Sequence, residues 1–171
     1  MSKLNGTWRC IARTNDEVLM REFNIADEFI TMLLENNSQP VFTFNIRRTE
    51  NNQENETQPS SLEFIQCWQN TDQTEPASFL AQSANFGEDL YKKEGNEELE
   101  YYAMLEGQTY SQIWAYHSED EISNVFSGAK NDGQLMFTLE TSYKVSSCGE
   151  FLNCTTVSNL GGQSEIILQR A

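Results

Sequence analysis

The sequence predicts an all-β protein, an antiparallel up-and-down barrel carrying one or two short helices. Apolar and polar residues alternate through most of the chain, turn signals recur between the alternating runs, and the two ends read as neighbouring strands. The opening Leu4-Asn5-Gly6-Thr7-Trp8 supplies a Gly-x-Trp first strand, and the last strand runs Ile166-Ile167-Leu168-Gln169-Arg170-Ala171. First and last strands pair in a closed antiparallel barrel, so Trp8 would plug one end while Arg170 lies across its indole face. That closure suggests a cup for a small ligand.

After the first strand, Leu19, Phe23, Ala26, Ile30 and Leu33 fall at steps of four, three, four and three, one face of a helix or helical pair over 16–35. Asn24 and Asp27 would start a second short helix after a break near Ile25. Two strands, 18–25 and 28–34, are the alternative. Residues 41–47 place Phe42, Phe44 and Ile46 on one face and Thr43, Asn45 and Arg47 on the other. Residues 62–68 place Leu62, Phe64, Gln66 and Trp68 together. The polar, charged run 48–61 between them reads as a long mobile hairpin loop. A shorter polar connection follows at 69–75, and 83–93 is a helix candidate.

Residues 99–105 and 109–117, joined through Glu106-Gly107-Gln108, read as a hairpin rich in aromatics. Asn131-Asp132-Gly133 is a strong turn signal between strands at 122–129 and 135–143. The last hairpin pairs 150–157 with 163–170, and Gly161 and Gly162 in its connection permit the positive φ of a tight turn.

At 171 residues the chain fits a single domain over 1–171, large enough to stand without metals or disulfides. Lys plus Arg number 11 against 26 Asp plus Glu, a net charge of −15 that repels phosphate backbones and anionic lipid heads. Nucleic acid and membrane surfaces are therefore not expected partners. Met1-Ser2-Lys3 leads straight into the first strand without a leader pattern, which points to a cytoplasmic protein.

Cys10, Cys67, Cys148 and Cys154 form no Cys-x-x-Cys pair, and a single His117 does not complete a zinc site. Cys148 and Cys154 would face each other across a hairpin if oxidised, but reduced, partly buried thiols are the expected state. No Gly-rich phosphate loop, nucleophile elbow, metal-binding His pair or Asp-rich calcium loop is present, so no cofactor, metal or catalytic residue is assigned.

Tyr110, Gln112, Trp114 and Tyr116 share one face of a strand, and turned inward they would line a pocket able to stack on a flat ligand, with Gln112 fixing its orientation. The same aromatics would also simply fill a barrel. Arg13, Arg47 and Arg48 are candidates for an anionic group in a chain poor in cations, and Arg47 is taken with the aromatic face as ligand-binding. His117 reads as an exposed residue at a strand end.

The Gly6-Thr7-Trp8 strand, a helix pair containing Met20, Pro40 ahead of the second strand and the closing Arg170-Ala171 resemble the intracellular fatty-acid-binding proteins, which belong with the lipocalins to the calycin group. The resemblance implies that the helix pair caps the mouth of a barrel and that the ligand lies inside. That family commonly carries an Arg-x-Tyr pair on its last strand for a ligand carboxylate, and the matching positions here are Ile166 and Leu168. A second resemblance, through Asp132-Gly133-x-Leu135, Thr141-x-Tyr143, Ser146-Ser147 and Glu150, is to the S-type phycobilin lyases. It lacks the arginines expected after Glu150.

The function this implies is the binding of a small hydrophobic or aromatic molecule inside the barrel, as carrier or chaperone. A tetrapyrrole lyase or isomerase on the same barrel, using Glu140 or Glu150, is the enzymatic alternative. A β-domain that engages a basic protein partner through its acidic loop is the third class.

Overall fold

The computed structural model describes residues 2–22, 27–28, 30–31, 38–48, 58–69, 78–92, 108–130 and 132–171. Its nine strands are β1 (Gly6–Thr14), β2 (Gln39–Arg47), β3 (Ser61–Gln69), β4 (Ser78–Asn85), β5 (Gln108–Ser118), β6 (Glu121–Lys130), β7 (Leu135–Val145), β8 (Phe151–Ser158) and β9 (Gln163–Arg170). All lie in one antiparallel sheet of order β4-β3-β2-β1-β9-β8-β7-β6-β5, curled into a nearly closed barrel. Every neighbouring pair is consecutive in the chain except β1 with β9.

The alternation seen in the sequence becomes the inside and outside of this barrel. Phe42, Phe44 and Ile46 are buried while Arg47 is exposed, and Leu62, Phe64 and Trp68 are buried while Glu63 is exposed. β1 pairs with β2 only through Gly6–Arg9 and with β9 from Trp8 onward, and a bulge between Cys10 and Ala12 bends it from one neighbour toward the other.

The closing pair brings Trp8 opposite Arg170. Trp8 has no exposed surface, its Nε1 donates to the Leu4 carbonyl at 2.8 Å, and the Arg170 guanidinium lies 4.1 Å from its ring centroid. Arg170 also donates to the carbonyls of Lys3, Asn5 and Gly149 at 2.6, 2.9 and 3.2 Å, tying the start of the chain to the β7–β8 turn.

Helix α1 (Asp16–Glu22) follows β1 and packs on β9. Residues 27, 28, 30 and 31 are helical as well, so the strand alternative for this region fails where the chain is described; the remainder of 16–35 lies outside the described residues. Leu19 and Ile30, both on the expected face, are buried. Gly161 takes the positive φ, +104°, in the β8–β9 connection, whereas Gly162 serves a different need. A Cβ at Gly162 would stand 2.5 Å from Glu22 Oε2 and 2.7 Å from Leu19 Cδ2, so its absence lets α1 sit on the barrel rim. Gly162→Ala is expected to cost about 1–3 kcal/mol through overpacking, measured by denaturant unfolding. An unchanged midpoint would mean that α1 is not seated by this contact.

One sequence expectation is corrected, and two fall wholly or partly outside the described residues. The 83–93 helix is replaced by the end of β4, a turn and a 3-10 turn at Leu90–Lys92. The predicted strand 99–105 lies outside the described residues, as do 49–57 of the 48–61 loop, whose strands nonetheless pair from Gln39↔Gln69 to Arg47↔Ser61. Cys148 and Cys154 are free thiols, the state expected from the sequence: Cys148 is exposed in the β7–β8 turn, and Cys154 is buried inside β8.

β4 and β5 are the edge strands, and no backbone ladder joins them among the described residues. Short links cross this seam instead. Gly87 N donates to the Trp114 carbonyl at 2.8 Å, Asp89 bridges to Ile113 and accepts from Ser111 Oγ at 2.7 Å, and Gln82 Nε2 donates to Gln112 Oε1 at 2.9 Å.

Candidate functional site

The inner face changes character along the barrel axis. At the Trp8 end the strands contribute Phe44, Leu62, Ile122, Val145, Leu152 and Leu168, together with Leu4, as a filled apolar core. Two to six residues further along, toward α1, the same strands present mostly polar and aromatic groups: Gln66 and Trp68 on β3, Asn124 and Phe126 on β6, Thr141 with the aliphatic Leu139 on β7, Thr156 on β8, and Ser164 with the aliphatic Ile166 on β9. These groups, with Leu80 and Gln82 from β4, Gln112 and Trp114 from β5, and Leu19 and Met20 from α1, line a half-open cavity of about 190 Å³. It is somewhat larger than an apolar cavity of about 150 Å³ that takes up benzene.

The floor of the cavity is aromatic. Phe64 packs on Trp114 at a centroid distance of 5.2 Å and on Phe42 at 5.6 Å, and Trp114 stacks on Tyr143 at 5.6 Å. Above it runs a row fixed by strand register, in which Trp114 is opposite Asn124, Asn124 opposite Thr141, Thr141 opposite Thr156, and Thr156 opposite Ser164. Thr141 and Thr156 share a hydrogen bond of 3.0 Å between their hydroxyls. The row is therefore neutral and hydrogen-bonding across five adjacent strands.

Of the residues singled out in the sequence, Gln112 and Trp114 line the cavity and are buried. Tyr110 and Tyr116 share their face but lie to either side. Tyr110 stacks on Phe126 at 5.9 Å, and Tyr116 packs on Phe86 at 5.7 Å. Arg47 is placed elsewhere: it projects from the outer face of β2, is paired with Glu63 at 3.0 Å, and meets Tyr116 only in a separate groove at the Trp8 end. Arg13 lies 5.5 Å from the centroid of Trp68, which lines the cavity. His117 is exposed and bonded to Ser123 Oγ at 2.7 Å. Glu140 and Glu150, the carboxylates a lyase would need, are exposed and line no part of the cavity.

Sequence reasoning did not single out Gln82, Asn124, Thr141, Thr156 and Ser164. Inward and outward polar residues look alike in a strand, and the signal that would have found them is register opposite a known inward neighbour.

Two thiols differ sharply in environment. Complete burial pushes the Cys154 thiol up to about 12, outweighing the lowering effect of the Thr156 hydrogen bond, while the Ser146 hydroxyl at 3.2 Å lowers the exposed Cys148 thiol. At pH 8 in native buffer, iodoacetamide is expected to label Cys148 first and to leave Cys154 unlabelled until the protein is denatured, as peptide mass spectrometry would show. Early labelling of Cys154 would contradict its burial.

Comparison with solved structures settles the architecture. A Schistosoma mansoni fatty acid binding protein in complex with arachidonic acid superposes with a TM-score of 0.63 at 14% identity, covering 100% of this chain and 98% of the other. The fold is that of the fatty-acid-binding proteins. Caenorhabditis elegans lipid binding protein 8 matches with a TM-score of 0.65 at 8% identity over 99% of this chain and 96% of that one. Secretory abundant heat soluble protein 4 from Ramazzottius varieornatus matches with a TM-score of 0.61 at 11% identity over 100% and 96%. At these identities the likeness is one of fold. No protein-family model matches the sequence, and no curated protein matches it. Among the described residues no helix is long and apolar enough to cross a membrane.

Proposed function

We propose that this protein is a carrier or chaperone for a small hydrophobic or aromatic molecule held inside its barrel. The observation that carries the reading is the half-open cavity of about 190 Å³, which pairs an aromatic floor with a row of neutral polar groups. Aromatic walls supply apolar contact, and a few placed polar groups fix orientation, as small-molecule sites generally require. The shared fold with a protein captured with arachidonic acid supports the same reading. Within this proposal Gln112 and Trp114 are binding residues, and Trp8 and Arg170 are structural closure.

Native mass spectrometry with an absorbance spectrum, on protein purified from its own source, tests it. A bound small molecule at one per chain is the expected result. An apo mass, together with no binding of a neutral fluorescent probe, would sink the carrier reading. We place the protein in the cytoplasm, and its four free cysteines support that compartment. Alkylation of the denatured, unreduced protein from its own source should then add a label at every cysteine.

A further inference from the structure

The first strand changes its facing part-way along its length. Trp8 and Cys10 turn toward the core, and strict alternation from there would send Ala12 inward and Arg13 out to solvent. The bulge between Cys10 and Ala12 inserts Ile11 as an extra residue, and the register resumes with Ala12 opposite Ile167 and Arg13 opposite Ile166. Directly opposed residues of an antiparallel pair share a face, and Ile166 lines the cavity. Arg13 is therefore the last inward side chain of β1, just before the strand ends at Thr14 and α1 begins at Asp16. Burial follows the shift: Ile11 and Ala12 are exposed, whereas Arg13 is half-buried, with its guanidinium 5.5 Å from the ring centroid of Trp68. Trp68 is itself buried and lines the cavity, so the bulge sets a cation at the α1 end, over the cavity wall.

Deeper in the barrel an anion would find no such partner. Among the described residues that line the cavity none is Lys, Arg or His, and toward the Trp8 end the space is filled by Phe44, Leu152 and Leu168. A carboxylate pushed there would lose its water without gaining a cation. At the half-open mouth it keeps part of its hydration and meets a planar guanidinium fork that matches its two oxygens. A guanidinium carries five donors, so an anion can share it with other partners. The repulsive field of a chain with net charge −15 is screened over about 8 Å at physiological salt, so contact at hydrogen-bond distance outweighs it. Arg47 and Arg48 do not compete for the same anion, since they line the separate groove at the Trp8 end.

We propose that Arg13 is an anion-holding residue at the cavity mouth, and that the ligand is a small aromatic or apolar acid bound body-first, with its carboxylate on the Arg13 guanidinium. This rests on the carrier reading and adds to it a charge preference, an orientation and a residue. The body of the molecule lies against Phe42, Phe64 and Trp68, in a space of about 190 Å³ that suits a substituted benzene ring.

A matched series on the full chain tests the proposal: butylbenzene, para-butylbenzyl alcohol and para-butylbenzoate, each titrated at neutral pH by calorimetry and by displacement of a neutral fluorescent probe. The wild-type protein is expected to bind the benzoate about ten-fold or more tightly than the alcohol. Arg13→Gln should remove that advantage while leaving butylbenzene within about two-fold, a comparison that also shows the variant is folded. Arg9→Gln removes the same charge from an exposed position on the same strand and should leave the benzoate within about two-fold. A loss confined to Arg13→Gln is then one of contact rather than of net charge. Benzoate binding no tighter than the alcohol in the wild type, with butylbenzene bound, would overturn the proposal and leave the carrier reading standing. An equal loss of benzoate affinity in both variants would overturn Arg13 as the contact. Failure of every member of the series, with no displacement of the probe, would overturn the carrier reading and this proposal with it.

Discussion

Replacing Trp8 with alanine is expected to lower the free energy of unfolding by about 3–5 kcal/mol. Trp8 is wholly buried in one core with Leu4, Leu152 and Leu168, and its strand is laddered to β2 on one side and β9 on the other, which resists collapse into the vacated space. The substitution also strips the Leu4 carbonyl of its 2.8 Å donor and the Arg170 guanidinium of the ring beneath it. Denaturant unfolding measures the effect as a shifted midpoint at constant slope. A loss below about 1 kcal/mol is typical of exposed positions, and finding it would sink the assignment of Trp8 as the plug. Arg170→Ala should cost less than Trp8→Ala, since Arg170 is exposed and its bonds to three carbonyls compete with water.

Phe64→Ala is expected to cost a similar amount, about 3–5 kcal/mol, with a distinctive signature in the presence of ligand. Phe64 lies between the core and the cavity, with Phe44 at 5.0 Å, Trp114 at 5.2 Å and Phe42 at 5.6 Å. Its removal merges a phenyl-sized void with the existing cavity of about 190 Å³. An apolar ligand that binds only the folded state recovers stability by mass action, so butylbenzene should raise the melting temperature of Phe64→Ala by more than that of the wild type. An equal or smaller shift would show that Phe64 does not border the ligand space.

Legibility of this chain follows the chemistry of each inner face. β2 and β3 were readable because Phe42, Phe44 and Ile46, then Leu62, Phe64 and Trp68, alternate strictly with polar neighbours, and burial follows that alternation. α1 was readable as one side of a two-way choice, because the spacing through Leu19 and Ile30 matches a helix and both are buried. β4 was not recognised: its inward residues are Leu80, Gln82 and Ala84, interspersed with Ala81 and Ser83, and such small or polar residues carry little strand preference. Within the cavity, Gln112 and Trp114 announced themselves through the aromatic alternation of their strand. Asn124, Thr141, Thr156 and Ser164 did not, because nothing in a single strand says that a threonine faces inward. Only the register of three ladders puts them in one row. Arg47 drew attention by its charge, which in an acidic chain finds a surface partner such as Glu63 before it finds a ligand.

The seam between β4 and β5 bears on how the barrel is assembled in time. Taken from β5 round to β4, the sheet is a plain meander, β5-β6-β7-β8-β9-β1-β2-β3-β4, in which, among the described residues, the single long-range strand pairing is β1 with β9. Pairing β1 with β9 closes a loop of about 150 residues or more, from Thr14↔Glu165 to Trp8↔Arg170, at a loop-closure entropy that slows folding. A circular permutant that joins Ala171 to Ser2 through a short linker and opens the chain between β4 and β5 would convert this pairing into one more hairpin, without cutting any ladder. Such a chain would build every ladder of the described sheet from hairpins and leave only the short links across the seam to be made at long range, so the seam is also the place where this fold can exchange its ends.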